Sequence, residues 1–290
     1  MANEVTTAAG SAGELVPIIV SELIVDAAYA ASVARPHCRI DSLQGKPGKV
    51  LDIPVWPKLT AAGVAEATDL SNTAINTTKV TVTAAEVGIM VTITDLLEES
   101  DVVNGLGDFT RQLAMAVAEK IDTDVTALFS GFSGTVGTTA TELTEASWLD
   151  AVFKLENANA PRPFVSIMHV RQTHGLRKAL AATTGTQHFP GSPAFGGMNY
   201  VDMAGYFDTL FGIPIFGSTT PPTINAGVDY AGSMQSDRGA IEFLEKWGVR
   251  TEMWRDISLR ATEVVVTACY GVIELVDLYG VQVISKVAVP

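Results

Sequence analysis

The chain has 290 residues and a formal net charge of −13, and 47% of its residues are apolar although only 7% are aromatic. That length can bury a sizeable core in one large domain or two smaller ones, so size is no obstacle to folding. The charge, with no basic run anywhere, argues against a groove that grips a nucleic-acid backbone, and an abundance of Ala, Val and Thr suits close packing over extended surfaces better than a deep aromatic pocket.

Residues 1–13 are small and polar and read as an arm. Residues 14–34 place Val16, Ile19, Leu23, Ala27 and Ala30 at near-helical spacing, with Pro17 tolerable in a first turn, which predicts a peripheral helix. An acid stands at the start where a signal peptide has bases, and Glu22 and Asp26 interrupt the apolar stretch, so neither secretion nor a membrane span is expected. Pro36, Gly45, Pro47 and Gly48 make residues 35–48 an extended connection.

Residues 49–57 (KVLDIPVWP) predict a strand with Leu51, Ile53 and Val55 on one face, Val50 and Asp52 on the other, and Pro54 at an edge. Residues 80–94 predict a second strand whose apolar positions are even at Val80 and Val82 but odd from Val87 to Ile93, so the register changes near Ala84 and Ala85, as at a bulge or bend. The intervening segment has little to bury and is too long for a loop inside a compact domain, so the pair reads as a hairpin arm projecting from the body.

After a short acidic turn or helix at 95–101, residues 108–129 carry Phe109, Leu113, Val117, Ile121, Val125 and Leu128 at steps of four and three, beside Ala114 and Ala118. A helix of about 22 residues, a rod of roughly 33 Å, is expected, with Asp108 as N-cap, Gly105 and Gly107 upstream and Gly131 and Gly134 ending it. Arg111, Glu119, Lys120, Asp122 and Asp124 share the other face, expected to be solvated. The two aspartates near the C-terminus oppose the macrodipole, which slightly favours partners for them outside the helix.

Residues 135–144 read as a linker, 148–157 as a helix, 164–169 as a short buried strand, 172–181 as a helix, 183–205 as a long surface loop and 213–216 as a strand. This alternation suggests a separate α/β-type lobe of about 90 residues. From Tyr230 onward the chain reads as strands at 240–244, 248–255, 257–273 and 281–284, and with no helices between them the sheet should be largely antiparallel.

Chemistry-bearing motifs are not found. His37, His169, His174 and His188 occupy no recognisable motif, and the spacing of five between His169 and His174 is not that of a zinc pair on one helix face. Cys38 and Cys269 are isolated thiols, which fits a reducing cytoplasm. There is no GxSxG, GxxxxGK or CxxC, and GKPGK at 45–49 reads as a turn. Glu98, Glu99 and Asp101 read as a solvated acidic run, and Trp56, Trp148, Trp247 and Trp254 as core or interface anchors. No catalytic, cofactor-binding or metal-binding residue is assigned, and no enzyme is required.

The order of elements, with LAMAVAEKIDTDV at 113–125 and ATEVVVTACYGVIELVDLYGVQVI at 261–284, resembles the major capsid protein of tailed bacteriophages. The resemblance covers essentially the whole chain and implies an α+β fold of the Hong Kong 97 type. By it, residues 1–47 are the N-terminal arm, 48–94 the extended loop (a β-hairpin), 95–142 with 236–290 the peripheral domain, containing the long spine helix and an antiparallel sheet, and 143–235 the mixed α/β axial domain.

It further implies self-assembly, as hexamers and pentamers, into an icosahedral shell around double-stranded DNA, with no sequence-specific DNA binding and no membrane. The virion is the expected location, after assembly in the cytoplasm of the bacterial host. A portal is an expected partner, a decoration protein a further one, and the short arm beginning at Met1 suggests a separate scaffolding protein. Some family members cross-link a loop lysine to an asparagine of a neighbour. Lys58 and Lys79 are the loop lysines here, but no motif for the partner residue or its catalytic acid accompanies them. The alternatives are an encapsulin-like bacterial nanocompartment shell, a hydrolase of unknown type, and a phage tail or decoration protein.

Overall fold

The computed structural model describes residues 32–56, 59–61, 63, 64, 66, 69, 72, 74–96, 106–182 and 206–288. The expected helix at 14–34 falls outside them except for its last residues, and so do the loop at 183–205 and most of the acidic stretch at 95–101.

A four-stranded sheet is ordered β1 (Arg39–Ser42), β11 (Ile241–Asp256), β12 (Ala261–Glu274) and β4 (Ala85–Thr94). β12 runs antiparallel to both neighbours, and β1 is parallel to β11. A mixed sheet is ordered β5 (Gly134–Val136), β13 (Gly280–Lys286), β10 (Asp229–Ser236), β6 (Phe164–His169), β8 (Ile213–Ser218) and β7 (Tyr206–Leu210), with β9 (Thr223–Ile224) paired to β10. Among the described residues β2 (Val50–Val55) and β3 (Thr78–Thr83) pair only with each other. The described helices are α1 (Leu106–Ala127), α2 (Glu145–Asn157) and α3 (Val170–Ala182).

α1 is the spine that the periodicity predicts. Leu113, Ala114, Val117, Ala118, Ile121 and Val125 are buried. All of these except Ala118 share one core with Phe243, Val264, Val266, Ala268 and Tyr270 of the four-stranded sheet and with Val165, Ile167 and Phe216 of the mixed sheet, so one helix face joins the two sheets. The helix already runs at Leu106, so Asp108 lies within it and is not its N-cap. At the other end the spine tightens into a 3₁₀ turn at Leu128–Ser130, closed by the Gly131 N–H on the Leu128 carbonyl at 2.8 Å. Asp122 is a second departure, since it is buried on the face expected to be solvated.

Thr144 caps α2, its hydroxyl accepting from the Ser147 N–H. α2 buries Trp148, Ala151 and Leu155 in a second core with Phe164, Met168, Ile213, Ile215, Val281 and Val283. The segment expected to be a linker, 135–144, instead begins inside β5, which joins the mixed sheet beside β13.

The terminal strands do not form one sheet. β11 and β12 belong to the four-stranded sheet, whereas β10 and β13 pair antiparallel inside the mixed one. The strands expected at 240–244 and 248–255 are one strand, β11, with register shifts between Glu245 and Trp247 and between Trp247 and Arg250. Residues 257–260 form the turn between β11 and β12 instead of the start of a strand. Both faces of the stretch beyond are apolar, so alternation did not mark where it begins.

Candidate assembly surface

The hairpin has the side-chain alternation that its sequence predicts. Ile53 is buried and Leu51 and Val55 half-buried, while Val50, Asp52 and Pro54 are exposed. Its root joins Ile53, Val82 and Ala84 to Leu43, Leu244 and Cys269 in a third core. At Ala84, the position of the expected register change, β3 ends and the chain passes into β4, with the Ala84 N–H on the Lys49 carbonyl at 2.8 Å. Gly271 of β12 permits this docking, because a β-carbon there would run into the Thr83 carbonyl oxygen. Beyond the root, Trp56, Leu59, Val64 and Ile75 are exposed. A two-stranded ribbon has little stability alone, so this one depends on its root or on what covers it.

The β11–β12 turn forms a second exposed apolar point. Trp254 is 74% and Ile257 83% exposed, yet the backbone around them is held firmly. Asp256 accepts from the Ser258 and Leu259 N–H groups, and Arg255 makes two hydrogen bonds to Asp95, at 2.7 and 2.6 Å, that tie the tip to the end of β4. The Arg255 guanidinium holds the Asp95 carboxyl below the usual carboxylate range, and the Ser258 hydroxyl does the same for Asp256. A rigid tip presenting large apolar side chains is suited to contact, not to solvation.

The arm enters the body along a row of polar contacts. Asp122 accepts from the Ser32 hydroxyl at 2.6 Å and from the Val33 and Ala34 N–H groups at 2.8 and 3.0 Å. Arg35 pairs with Glu245 at 2.8 Å, and His37 Nδ1 lies 3.0 Å from Asp237. Asp124 takes the Tyr270 hydroxyl at 2.7 Å, linking the spine to β12. Both spine aspartates thus find partners outside their helix.

The remaining sequence candidates disperse. His169 stacks on Tyr230 with ring centroids 3.6 Å apart and accepts the Arg171 N–H at Nδ1, and burial lowers its pKa. His174 lies beside Arg171 instead. His188, Lys58, Glu98, Glu99 and Asp101 lie outside the described residues. Lys79 is paired with Asp52 at 2.8 Å. Trp148 is a core residue, Trp247 packs at the hairpin root, and Trp56 and Trp254 are exposed, so the four tryptophans divide between core and surface. Cys38 and Cys269 are both buried free thiols. The GKPGK segment is a turn, with Gly45 and Gly48 at positive φ.

Sequence reasoning missed two residues that organise the body. Gln172 of α3 donates to the Val283 and Tyr230 carbonyls and accepts the His169 N–H, bridging three strands of the mixed sheet. Its signal is Gly232, where any β-carbon would collide with the Gln172 amide. Glu242 of β11 is the other. It is fully buried, its nearest cation being the Arg39 Nε at 3.4 Å. Among the described residues no group of three or more His, Cys, Asp or Glu is placed to hold a metal ion, and no helix is long and apolar enough to cross a membrane.

Comparison with known proteins agrees with this layout. Residues 55–284 match the model of the phage capsid protein family. No curated protein matches the chain. Among solved structures, the capsid of the cyanophage P-SCSP1u superposes with a TM-score of 0.66 at 14% identity, over 88% of each chain. The head of Helicobacter pylori bacteriophage KHP40 gives 0.63 at 10% identity over 90% of each, and the capsid of a native GTA particle 0.65 at 13% identity over 89% of this chain and 90% of the other. At these identities the likeness speaks for the fold, an α+β arrangement of the Hong Kong 97 type, and the family match speaks for membership: the chain belongs to the phage capsid protein family.

Proposed function

We propose that this chain is the major capsid protein of a tailed bacteriophage, a virion component whose copies close into the icosahedral head shell around double-stranded DNA. Membership of the phage capsid protein family makes it a structural shell protein. Hexamers and pentamers are the building blocks in this reading, and assembly takes place in the bacterial host cytoplasm with a separate scaffolding protein and a portal. A decoration protein on the outer surface is a further partner. The division into an arm (1–47), extended loop (48–94), peripheral domain (95–142 and 236–290) and axial domain (143–235) belongs to the same proposal. No catalytic role is assigned.

The hairpin is the observation that carries this reading. Among the described residues β2 and β3 form a sheet only with each other, and their root is buried, while Trp56, Leu59, Val64 and Ile75 face solvent. Such a ribbon is stable when neighbouring subunits cover it. The net charge of −13 favours a wall that encloses DNA without gripping it.

Co-expression with the proteins encoded beside its gene, followed by electron microscopy, tests the proposal. Closed shells of uniform diameter are expected. A monodisperse monomer in every combination would overturn it.

A further inference from the structure

We propose that the parallel pairing of β1 with β11 is an alkali-sensitive latch on the root of the arm, closed while the buried carboxyl of Glu242 shares a proton with Asp41 and loosened when that proton leaves.

The pairing is short: Arg39, Ile40, Asp41 and Ser42 lie opposite Glu242, Phe243, Leu244 and Glu245. Among the described residues β1 is the edge strand of its sheet, and this ladder is the one it makes there. At its first pair the Glu242 side chain is sealed from water, and neither oxygen receives a hydrogen bond from an N–H or O–H donor among the described residues. The Arg39 Nε stands 3.4 Å from Oε2 without bonding geometry, and the same guanidinium is bonded to Asp41 at 3.1 Å. An ionised carboxylate so placed would be buried with no hydrogen bond and a second carboxylate beside it, a costly arrangement. A protonated one donates to Asp41 and resolves both problems.

The charged groups acting on Glu242 are Asp41 and Arg39, both of β1, and the β12 residue opposite it is the uncharged Ile273. Burial first, and the Asp41 carboxyl second, push Glu242 up from 4.5 to about 8. The sign follows from proton linkage. Closing the latch takes up a proton wherever the open form is ionised, so closure is favoured in full below 4.5 and is lost as pH rises through about 8. Within that window each pH unit weakens closure by up to about tenfold. The other anchors of the arm root, Asp122 with its three donors, Arg35 with Glu245 and His37 with Asp237, do not touch Glu242, so loosening is confined to β1 and the residues after it.

Hydrogen exchange on the full-length protein, expressed as protection factors so that the intrinsic pH dependence cancels, tests the latch. Between pH 6 and pH 9, protection of the amides at 39–46 should fall by at least tenfold, while β12 amides at 264–270 stay constant. Glu242→Gln, which mimics the protonated acid, should abolish that pH dependence. Protection at 39–46 that is flat in the parent, or that falls equally in Glu242→Gln, would overturn the proposal. Should Glu242→Gln not fold, Asp41→Asn serves instead: with the like charge removed, Glu242 in the closed form ionises at lower pH, so loosening must be complete at lower pH, and an unchanged end point would equally overturn it.

Discussion

Replacing Asp122 by alanine should detach the arm root while leaving the body folded. The carboxylate is buried and accepts three hydrogen bonds, from the Ser32 hydroxyl and the Val33 and Ala34 N–H groups, at 2.6 to 3.0 Å. Hydrogen bonds to charged groups contribute about 1.5 to 3 kcal/mol each, but the freed donors can reach water once residues 32–34 lift away, so the local loss should be about 2 to 4 kcal/mol. That corresponds to a roughly 30- to 700-fold rise in local opening. The helix itself should gain slightly, since alanine is the better helix former and an acid near the C-terminus is removed. Hydrogen exchange at the amides of 33–38 is the assay, with Asp124→Ala as control because its partner is Tyr270 and not the arm. The reasoning fails if Asp122→Ala leaves protection there at the parent level, or if Asp124→Ala lowers it as much.

The spine should tolerate change on one face only: Val117→Pro removes a mid-helix hydrogen bond at a buried position and should cost about 3 kcal/mol or more, seen as loss of soluble protein. Lys120→Ala gives up one exposed pair with Asp124 and should shift the melting temperature barely. Gly271→Val should push the hairpin root off β12 by collision with Thr83, costing about 1 to 3 kcal/mol in denaturant unfolding, whereas Gly63→Ala, with none of the described residues near its β-carbon position, should be silent. Burial, and then Asp277, raise the Glu274 carboxyl to about 7, so its contribution to stability is present below 4.5 and lost as pH rises through about 7. Glu274→Gln should therefore flatten the fall in melting temperature between pH 5 and pH 8, and an unaltered pH profile would refute that assignment.

The parts legible in the sequence are those set by local periodicity. Steps of three and four marked α1, and the switch from Val80 and Val82 to Val87, Ile89 and Val91 marked the point where the chain changes sheets, because a side chain's face follows from its own neighbours. The distribution of strands between sheets was not legible. β13 is as β-branched as β12 whereas β10 carries no β-branched residue, and what brings both into the mixed sheet is pairing with each other and with Phe164–Ile167 and Gly134–Val136, far away in sequence. Asp122 was half legible, since its unfavourable place near a helix end hinted at an outside partner, but the partners are a hydroxyl and two backbone groups 88 to 90 residues distant. Glu242 gave no signal, because an acid in a strand reads as solvent-facing until the strand that covers it is known.

Replacing residues 56–77 by an Asn-Gly turn tests most directly the claim that the hairpin exists to hold a neighbour. Val55 and Thr78 already face each other across the ladder, so a two-residue turn closes the ribbon at little cost to the monomer. Electron microscopy and thermal melting of parent and deleted protein, expressed identically, should show closed shells only for the parent and the same melting behaviour for unassembled subunits of both. Shells of normal size and stability from the deleted protein would contradict the account.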